Sequence, residues 1–189
     1  MGKRTMLNLG FAVPGIFWAT LLISGRFYPG YSSVRDRVSE LGALDAPTRW
    51  IFNPGMLLCA LLSLVFVYGL VRVCKQVELS TIPAWLLLVH GVSLAGAASF
   101  PLPLPMHGQA GMLAMLLPLS PLLALMLWHR AGNGRLKLTA LTSLVLISLG
   151  FSVLFPDFLP ELAGLKQRIA HLGWTVWFAG LGAIIGKTS

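Results

Sequence analysis

The sequence predicts an all-α membrane protein, a bundle of about six transmembrane helices forming a single domain over residues 1–189. Only 11% of the residues are charged and 56% are hydrophobic, whereas soluble domains carry about 25% charged residues. So little charge cannot cover a water-soluble surface. Six apolar segments also approach the length of about 20 residues that a helix needs to cross the hydrocarbon core.

The predicted spans follow one another with short connections, which leaves no room for a separate soluble domain. They are Leu7–Ser24, Ile51–Val71, Ile82–Phe100, Met112–Trp128, Leu138–Phe155 and Ile169–Ile185. Two basic residues precede the first span, as in a signal peptide. However, its apolar run exceeds the usual length of about 7–15 residues and no Ala-x-Ala site follows. We therefore interpret the first span as a retained helix.

The distribution of positive charge predicts that both termini lie in the cytoplasm. With the N-terminus inside, the cytoplasmic Lys and Arg residues are Lys3, Arg4, Arg72, Lys75, Arg130, Arg135, Lys137 and Lys187. The other six of the 14 fall on the outer side, and an excess of Lys and Arg marks the inner side. This distribution accounts for the net charge of +8 without a nucleic-acid partner. We expect a multi-pass protein of the cell membrane, in a bacterial inner membrane.

The first outer connection, residues 31–49, is the longest and predicts a short interfacial helix. Ser33 and Asp36 have the spacing of a capping box, and Val34, Val38 and Leu41 recur at helical spacing. Odd-numbered spans end in an aromatic residue followed closely by proline, a pattern typical of helix ends at the membrane interface.

Asp36 and Glu40 are four residues apart, so on a helix they would share one face. Like charges at that spacing repel unless a cation, a metal or a shared proton compensates. Arg35 and Arg37 are neighbouring candidates. The pair is an acid/base pair, half of a metal site, or part of a solvated helix whose carboxylates are paired with arginines.

The sixth span carries polar residues at spacings of three and four if its helix extends outward to Glu161. The stripe comprises Glu161, Gly164, Arg168, His171 and Thr175. Ionisable groups facing lipid are costly, so we expect this stripe to face the bundle. His171 would suit proton transfer there. The alternative is a structural Glu161–Arg168 pair, with His171 bonded to another helix.

His107 opens the fourth span on the same outer side. Together with His171 and the outer carboxylates, Asp157 among them, it forms a loose group of residue types that zinc accepts. No HExxH or similar local motif is present, and we predict neither a metal nor a cofactor. His90 lies inside the third span and is expected to hydrogen-bond to another helix. Asn53 falls in the outer turn of the second span, where a buried amide is expected.

Several short motifs resemble those of DUF998, a family of bacterial and archaeal proteins with a domain of unknown function. In the first loop and second span they are Tyr28-Pro29-Gly30-Tyr31-Ser32, Val38-Ser39-Glu40-Leu41-Gly42-Ala43, Ala46-Pro47 and Ile51-Phe52-Asn53-Pro54-Gly55. Later ones are Phe100-Pro101 with His107-Gly108, and Phe155-Pro156 with Gly164-Leu165-Lys166-Gln167-Arg168. The Ser-Glu-Leu-Gly element is also distantly similar to a loop of the Frag/DRAM/Sfk membrane proteins. The resemblance implies a six-helix membrane fold and no particular reaction.

The functional hypothesis is a protein that binds a membrane lipid or other amphiphile in a pocket open to the non-cytoplasmic side. Arg35, Arg37 and Arg168 would hold an anionic headgroup, while Asp36, Glu40 and His171 would orient it or transfer protons. Further ligand-binding candidates are Asn53, Asp157 and Glu161. One alternative is a membrane-embedded lipid hydrolase or transferase using His107, His171 and a carboxylate. Another is a small transporter or accessory protein. The sequence identifies neither the ligand nor the oligomeric state.

Overall fold

The computed structural model of the chain describes residues 2–128 and 134–186, and these form helices joined by short connections. The α-helices are α1 Lys3–Phe27, α2 Arg49–Gln76, α3 Ile82–Leu86, α4 Leu88–Ser99, α5 Pro105–Met112, α6 Leu119–Leu127, α7 Gly134–Gly150 and α8 Ala163–Ile185. Short 3-10 helices are Val38–Gly42, Leu113–Leu116, Phe151–Leu154 and Pro160–Leu162. No strand is present among the described residues.

Six helical segments are long and apolar enough to cross a membrane, which confirms the predicted fold class. Five of them begin earlier than the sequence predicted, two of these by seven residues or more. The fourth starts at Pro105 instead of Met112, and the sixth at Pro160 instead of Ile169. In both, the first turns carry polar residues that a search for apolar runs excludes. Proline also fits the first helical turn, where its missing N–H is not needed.

The tightest packing joins α1, α2, α7 and α8 through buried aromatic and small residues. Phe66 of α2 stacks on Phe178 of α8 with ring centroids 5.0 Å apart. A Cβ added to Gly10 of α1 would lie 2.6 Å from the Phe178 carbonyl oxygen, and one added to Gly150 of α7 would lie 2.2 Å from the Ala170 nitrogen. Glycine is required at both positions because the backbones approach so closely.

The fourth span is the least buried of the six and is divided into two halves. Its inner half, α6, packs between α3 and α7, where the Ser120 hydroxyl donates to the Pro83 carbonyl at 2.7 Å. A 3-10 turn and Pro118 interrupt the helix, because proline cannot supply the N–H of a continuous helix. The outer half, α5 with its 3-10 turn, packs against α4. Within the described residues it makes few contacts with α7 or α8.

The first, third and fifth connections meet at one end of the bundle. The Leu44 N–H donates to the Leu102 carbonyl at 2.9 Å, which joins the first connection to the third. The Gly164 N–H donates to the Arg35 carbonyl at 3.1 Å, and the Leu165 N–H to the Val34 carbonyl at 2.9 Å. We call this end, formed by residues 28–48, 100–104 and 155–162, the first-loop end.

The first connection contains a shorter helix than its residue spacing predicted. Only Val38–Gly42 is helical, as a 3-10 turn, and Ser33 does not cap it. Instead, the Asp36 carboxylate accepts from the Ser32 N–H at 2.7 Å and closes the turn before the helix. Asp36 therefore lies outside the helix and does not share a helical face with Glu40.

The orientation of the bundle stays a prediction, and the outer half of the fourth span is named only for its place next to the first-loop end. The count of Lys and Arg residues that predicts the orientation includes Arg130 and Lys187, which lie outside the described residues.

Candidate functional site

A cavity lies between α4, the outer half of the fourth span, the end of the fifth span and α8. It has a larger chamber of about 260 Å³ and an adjoining chamber of about 150 Å³. The residues that line both are Ser93, Leu94, His107, Gly111, Ala114, Gln167 and His171. Pockets for small ligands usually measure about 300–1,000 Å³. The larger chamber is therefore close to the size that holds one hydrocarbon chain or a small polar group.

The wall contributed by the fourth span is open and apolar. Gly108 and Gly111 line the larger chamber, and a Cβ added to either would meet no atom within 4 Å. Met112 and Met115 continue this wall and are 58% and 43% exposed, while Leu154 of the fifth span forms part of the rim. These exposed apolar residues belong to the fourth and fifth membrane-spanning segments. Methionine side chains adapt readily to irregular apolar ligands.

His171 lines the cavity and carries a buried hydrogen-bond donor. Its Nδ1 lies 3.0 Å from the Nε1 of Trp174, and an indole N–H can only donate. Nδ1 must therefore accept, so that the neutral imidazole carries its proton on Nε2. That Nε2 is buried and has no hydrogen-bond partner in the structure. An unsatisfied buried polar atom is uncommon and is expected to have a partner when the site is occupied.

His107 has the opposite tautomer. Its Nδ1 lies 3.2 Å from the Ala97 carbonyl oxygen and 3.0 Å from that of Phe100. Carbonyl oxygens only accept, so Nδ1 must carry the proton. The Nε2 of neutral His107 is consequently an acceptor. The two histidines on the cavity wall thus offer complementary groups, a donor on His171 and an acceptor on His107.

Trp174 organises the base of the larger chamber. Its ring lies 4.1 Å from that of His90 and 4.9 Å from that of Phe17, measured between centroids. The ring of His171 also packs against Phe17, with centroids 4.8 Å apart, and lies 6.5 Å from that of Trp174. The predicted interhelical hydrogen bond of His90 is absent at Nε2, which is buried without a partner. His90 instead packs its ring against aromatic residues of α8, which is favourable for planar rings.

The smaller chamber is closed by the first connection. Ser39 and Gly42 line it together with Asn53. Asn53 donates from Nδ2 to the Gly42 carbonyl at 3.1 Å, and Gln167 accepts from the Val38 N–H at 2.7 Å. The motifs that resembled the family therefore build the cover of this chamber.

Arg168 fastens the first connection to α8. Its Nη1 donates to the carbonyls of Ser33 at 2.6 Å, Asp36 at 3.2 Å and Gly164 at 3.1 Å. Its Nη2 donates to the Tyr31 hydroxyl at 2.6 Å. Burial raises the pKa of that phenol, although the adjacent guanidinium acts in the opposite direction. Guanidinium donors used in this way hold backbone in place.

The other charged candidates lie on the surface of the first-loop end. Asp36 Oδ1 accepts from the Nε of Arg35 at 2.7 Å. That hydrogen bond, more than any other contact, holds the pKa of the Asp36 carboxyl below its usual value. The side chain of Glu40 accepts from the Arg37 N–H at 3.1 Å and so caps the 3-10 turn.

Charged side chains are absent from the cavity. Asp157 and Glu161 are exposed, and among the described residues no Asp, Glu, Lys or Arg lines either chamber. Over the same residues, no group of three or more His, Cys, Asp or Glu is placed to hold a metal ion. The structure thus brings together His107, His171 and Asn53, and it separates them from the predicted carboxylates and arginines.

Two features of this region were not predicted. Lys166 is 95% buried on α8, where its ammonium donates to the carbonyls of Phe155 and Phe158 and closes the fifth connection. The stripe formed by His107, Gly108, Gly111 and Met115 makes the cavity wall. Its spacing of three and four residues was visible in the sequence, but only neighbouring helices reveal that the space beside it is empty.

The fold and the cavity define a multi-pass helical membrane protein with a mainly apolar chamber inside its bundle. The chain belongs to the family described as protein of unknown function (DUF998), whose model matches residues 11–184. No curated protein and no solved structure matches it. The more distant resemblance to the Frag/DRAM/Sfk proteins stays a prediction.

Proposed function

We propose that this protein binds a membrane amphiphile, whose hydrocarbon chain enters the larger chamber sideways between the fourth and fifth spans. The observation that carries the proposal is the wall formed by Gly108 and Gly111. Glycine in a helix interior is destabilising by about 0.5–1 kcal/mol relative to alanine. At these two positions no neighbouring backbone requires it. Gly15 of α1 is equally free of neighbours but lines neither chamber, whereas Gly108 and Gly111 both line the larger one, where a ligand would occupy the space beside them.

The composition of the chamber favours an amphiphile over a polar solute. Met112, Met115 and Leu154 are apolar and face the membrane at its rim. Burying a hydrocarbon chain there would contribute about 25 cal/mol per Å² of apolar surface removed from water. The chamber's size favours one chain, or part of a longer one, and not a whole phospholipid.

The site predicted for an anionic headgroup becomes a secondary part of this proposal. Arg37 and the partly exposed Arg35 lie at the surface of the first-loop end. They would contact a headgroup only if the ligand extends from the cavity toward that end. Arg168 would act indirectly, by holding the first connection over the smaller chamber.

The test blocks the chamber without disturbing the protein around it. Gly111→Leu places a side chain in the open space, whereas Gly15→Leu is a matched control on α1, exposed and equally free of neighbours. Purified protein in detergent is mixed with hexadecanol, palmitate and palmitoyl lysophosphatidylcholine, and retained ligand is counted by native mass spectrometry. We expect the wild type and Gly15→Leu to retain at least one amphiphile and Gly111→Leu to lose it. Equal retention by all three proteins, or by none, would contradict the proposal.

A second candidate is a membrane-embedded hydrolase or transferase acting on the bound amphiphile. The observation in its favour is that His107, His171 and Ser39 all line the smaller chamber. Against it, no carboxylate among the described residues lines the chambers to support a histidine base. Turnover of a lipid ester that is abolished by His171→Ala and by His107→Ala would favour this candidate. A bound lipid recovered unchanged would favour binding alone. Coupled uptake that survives both substitutions would instead indicate a transporter.

A further inference from the structure

We propose a second lipid site on the surface of the bundle, where a groove beside α2 holds one acyl chain of a membrane phospholipid and Arg49 binds its phosphate. The groove measures about 300 Å³. Of the residues that line it, only Asn53 also lines the cavity described above. The inference therefore goes beyond the proposed function and does not depend on it.

The lining of the groove is mostly apolar and comes from two parts of the chain. Leu44 and Pro101 belong to the first and third connections, which are joined by the hydrogen bond from the Leu44 N–H. Trp50, Pro54 and Leu57 belong to α2. Trp50 is 75% exposed. A groove of this composition suits a hydrocarbon chain, because each apolar group that it covers is removed from water.

The groove lies at one end of an exposed stripe on α2. The residues of the stripe recur at spacings of four and three, so they share one face of the helix. They are Trp50, Pro54, Leu57, Leu61, Leu64 and Tyr68. At 1.5 Å per residue the stripe is about 27 Å long, close to the hydrocarbon thickness of about 30 Å. Trp and Tyr are enriched where hydrocarbon meets the headgroups. The groove therefore lies at the depth where an acyl chain joins its headgroup.

Arg49 lines the groove and supplies the charge that binds a phosphate. Its guanidinium carbon lies 4.5 Å from the centroid of the Trp50 ring, and its Nη1 donates to the Leu44 carbonyl. Within the described part of the chain, no carboxylate forms an ion pair with Arg49, and its Nε and Nη2 have no partner. This holds even for Asp45, which is close in sequence. Guanidinium donors with such freedom form strong hydrogen bonds to phosphate oxygens.

The two features together specify the class of ligand. A diacylglycerol would fill the groove and leave the charge of Arg49 unpaired. Inorganic phosphate would pair with Arg49 and leave the groove empty. A phospholipid satisfies both, with its second chain remaining in the bilayer beside the exposed Leu61 and Leu64 of the stripe.

The experiment separates the contribution of the phosphate from that of the chains. The purified full chain in detergent is titrated with dioleoylphosphatidylglycerol and with dioleoylglycerol, which has the same chains but no phosphate. Retained lipid is counted by native mass spectrometry, for the wild type and for Gly111→Leu, in which the larger chamber is blocked. We expect both proteins to bind the phospholipid about tenfold more tightly than dioleoylglycerol, because a hydrogen bond to a charged group is lost without the phosphate.

Two pairs of variants locate the site. Arg49→Gln should weaken phospholipid binding about tenfold. Its control is Arg72→Gln, because Arg72 lies 5.8 Å from the ring centroid of Tyr68 at the other end of the stripe and lines neither the groove nor the cavity. Leu57→Trp should fill the groove and weaken binding of both lipids. Its control is Leu61→Trp, one turn further along the same exposed face and outside the groove.

Each contrary outcome refutes a stated part of the inference. If dioleoylglycerol binds as tightly as the phospholipid, the phosphate contact is wrong. Equal weakening by Arg49→Gln and Arg72→Gln would mean that general surface charge attracts the lipid. Equal effects of Leu57→Trp and Leu61→Trp would mean that the groove is not the site.

The cavity variant separates this inference from the proposed function. If Gly111→Leu abolishes phospholipid binding, the lipid lies in the cavity and the surface site is refuted, while the proposed function stands. If Arg49→Gln does not fold, the preference of the wild type for the phospholipid and the comparison of Leu57→Trp with Leu61→Trp still decide the result.

Discussion

Two regions of this bundle use glycine for opposite purposes. In the seam between α7 and α8, Gly150 and Gly173 allow backbones to approach so closely that a methyl group would overlap its neighbours. On the outer half of the fourth span, Gly108 and Gly111 face empty space. Close packing makes the first region rigid. The second region is accessible because its glycines have no close neighbours. A membrane protein can hold a ligand inside its bundle only where such close packing is interrupted.

The largest expected effect is that of Gly150→Ala in the closely packed seam. The added Cβ would lie 2.2 Å from the Ala170 nitrogen and 2.5 Å from its Cα, and backbone atoms cannot rotate away. Overpacking of this kind costs about 1–3 kcal/mol, occasionally more, and we expect the upper part of that range. Thermal unfolding in detergent, followed by size-exclusion chromatography, would measure it, with Gly15→Ala as the control. An unchanged melting temperature would show that the seam is looser than described.

The next effect is that of Arg168→Ala, which removes the hydrogen bonds that hold the first connection. Because four acceptors lose a charged donor, we expect a loss of about 2–3 kcal/mol. Hydrogen exchange should increase in residues 28–48 more than in α2. Arg168→Lys should not restore protection, since an ammonium lacks the planar fork of a guanidinium. If Arg168 instead binds a headgroup directly, ligand affinity should fall while exchange stays unchanged.

A smaller effect of opposite sign is expected for Gly111→Ala. The methyl group meets no neighbour, and alanine is favoured over glycine in a helix by about 0.5–1 kcal/mol. The same substitution that destabilises the α7–α8 seam should therefore stabilise the cavity wall. Parallel melting curves of Gly111→Ala and Gly150→Ala provide the comparison. Destabilisation by both would mean that the fourth span packs more closely than the structure shows.

The smallest effect is a pH dependence at the surface of the first-loop end. Arg35 lowers the pKa of Asp36 in the folded state, so the carboxylate contributes stability above its unfolded pKa of about 3.9. That contribution is lost as the pH falls through the folded value. Because the pair is near the surface, we expect less than about 1 kcal/mol. Melting temperatures of the wild type and Asp36→Asn should differ at pH 7, and the difference should shrink progressively as the pH is lowered below the unfolded pKa of about 3.9. A constant difference would exclude this linkage.

The particular residues explain which parts of the site the sequence could predict. His107 and His171 could be predicted as site residues because placing polar groups inside a membrane bundle costs free energy, so such groups usually have a function. Asp36 and Glu40 were grouped by helical spacing, but the local turn at Ser32 keeps Asp36 out of the helix. The charge of Arg168 and its place near the start of α8 could be predicted from the sequence. The sequence did not show that the guanidinium would donate to backbone carbonyls of the first connection, more than 130 residues away along the chain.

Composition and periodicity alone determined the six-helix membrane fold, because hydrocarbon requires long apolar helices whatever their neighbours are. The resemblance to the family came from short sequence motifs. The meeting of alternate connections at one end also follows from that alternation. Only the tertiary structure decided that two glycines of the fourth span line a cavity while Gly10, Gly150 and Gly173 form close contacts between helices. It also decided that Trp174 and two backbone carbonyls fix opposite tautomers in the cavity histidines. The physical reason is that empty space and hydrogen-bond direction are properties of several helices together, and no single segment of sequence contains them.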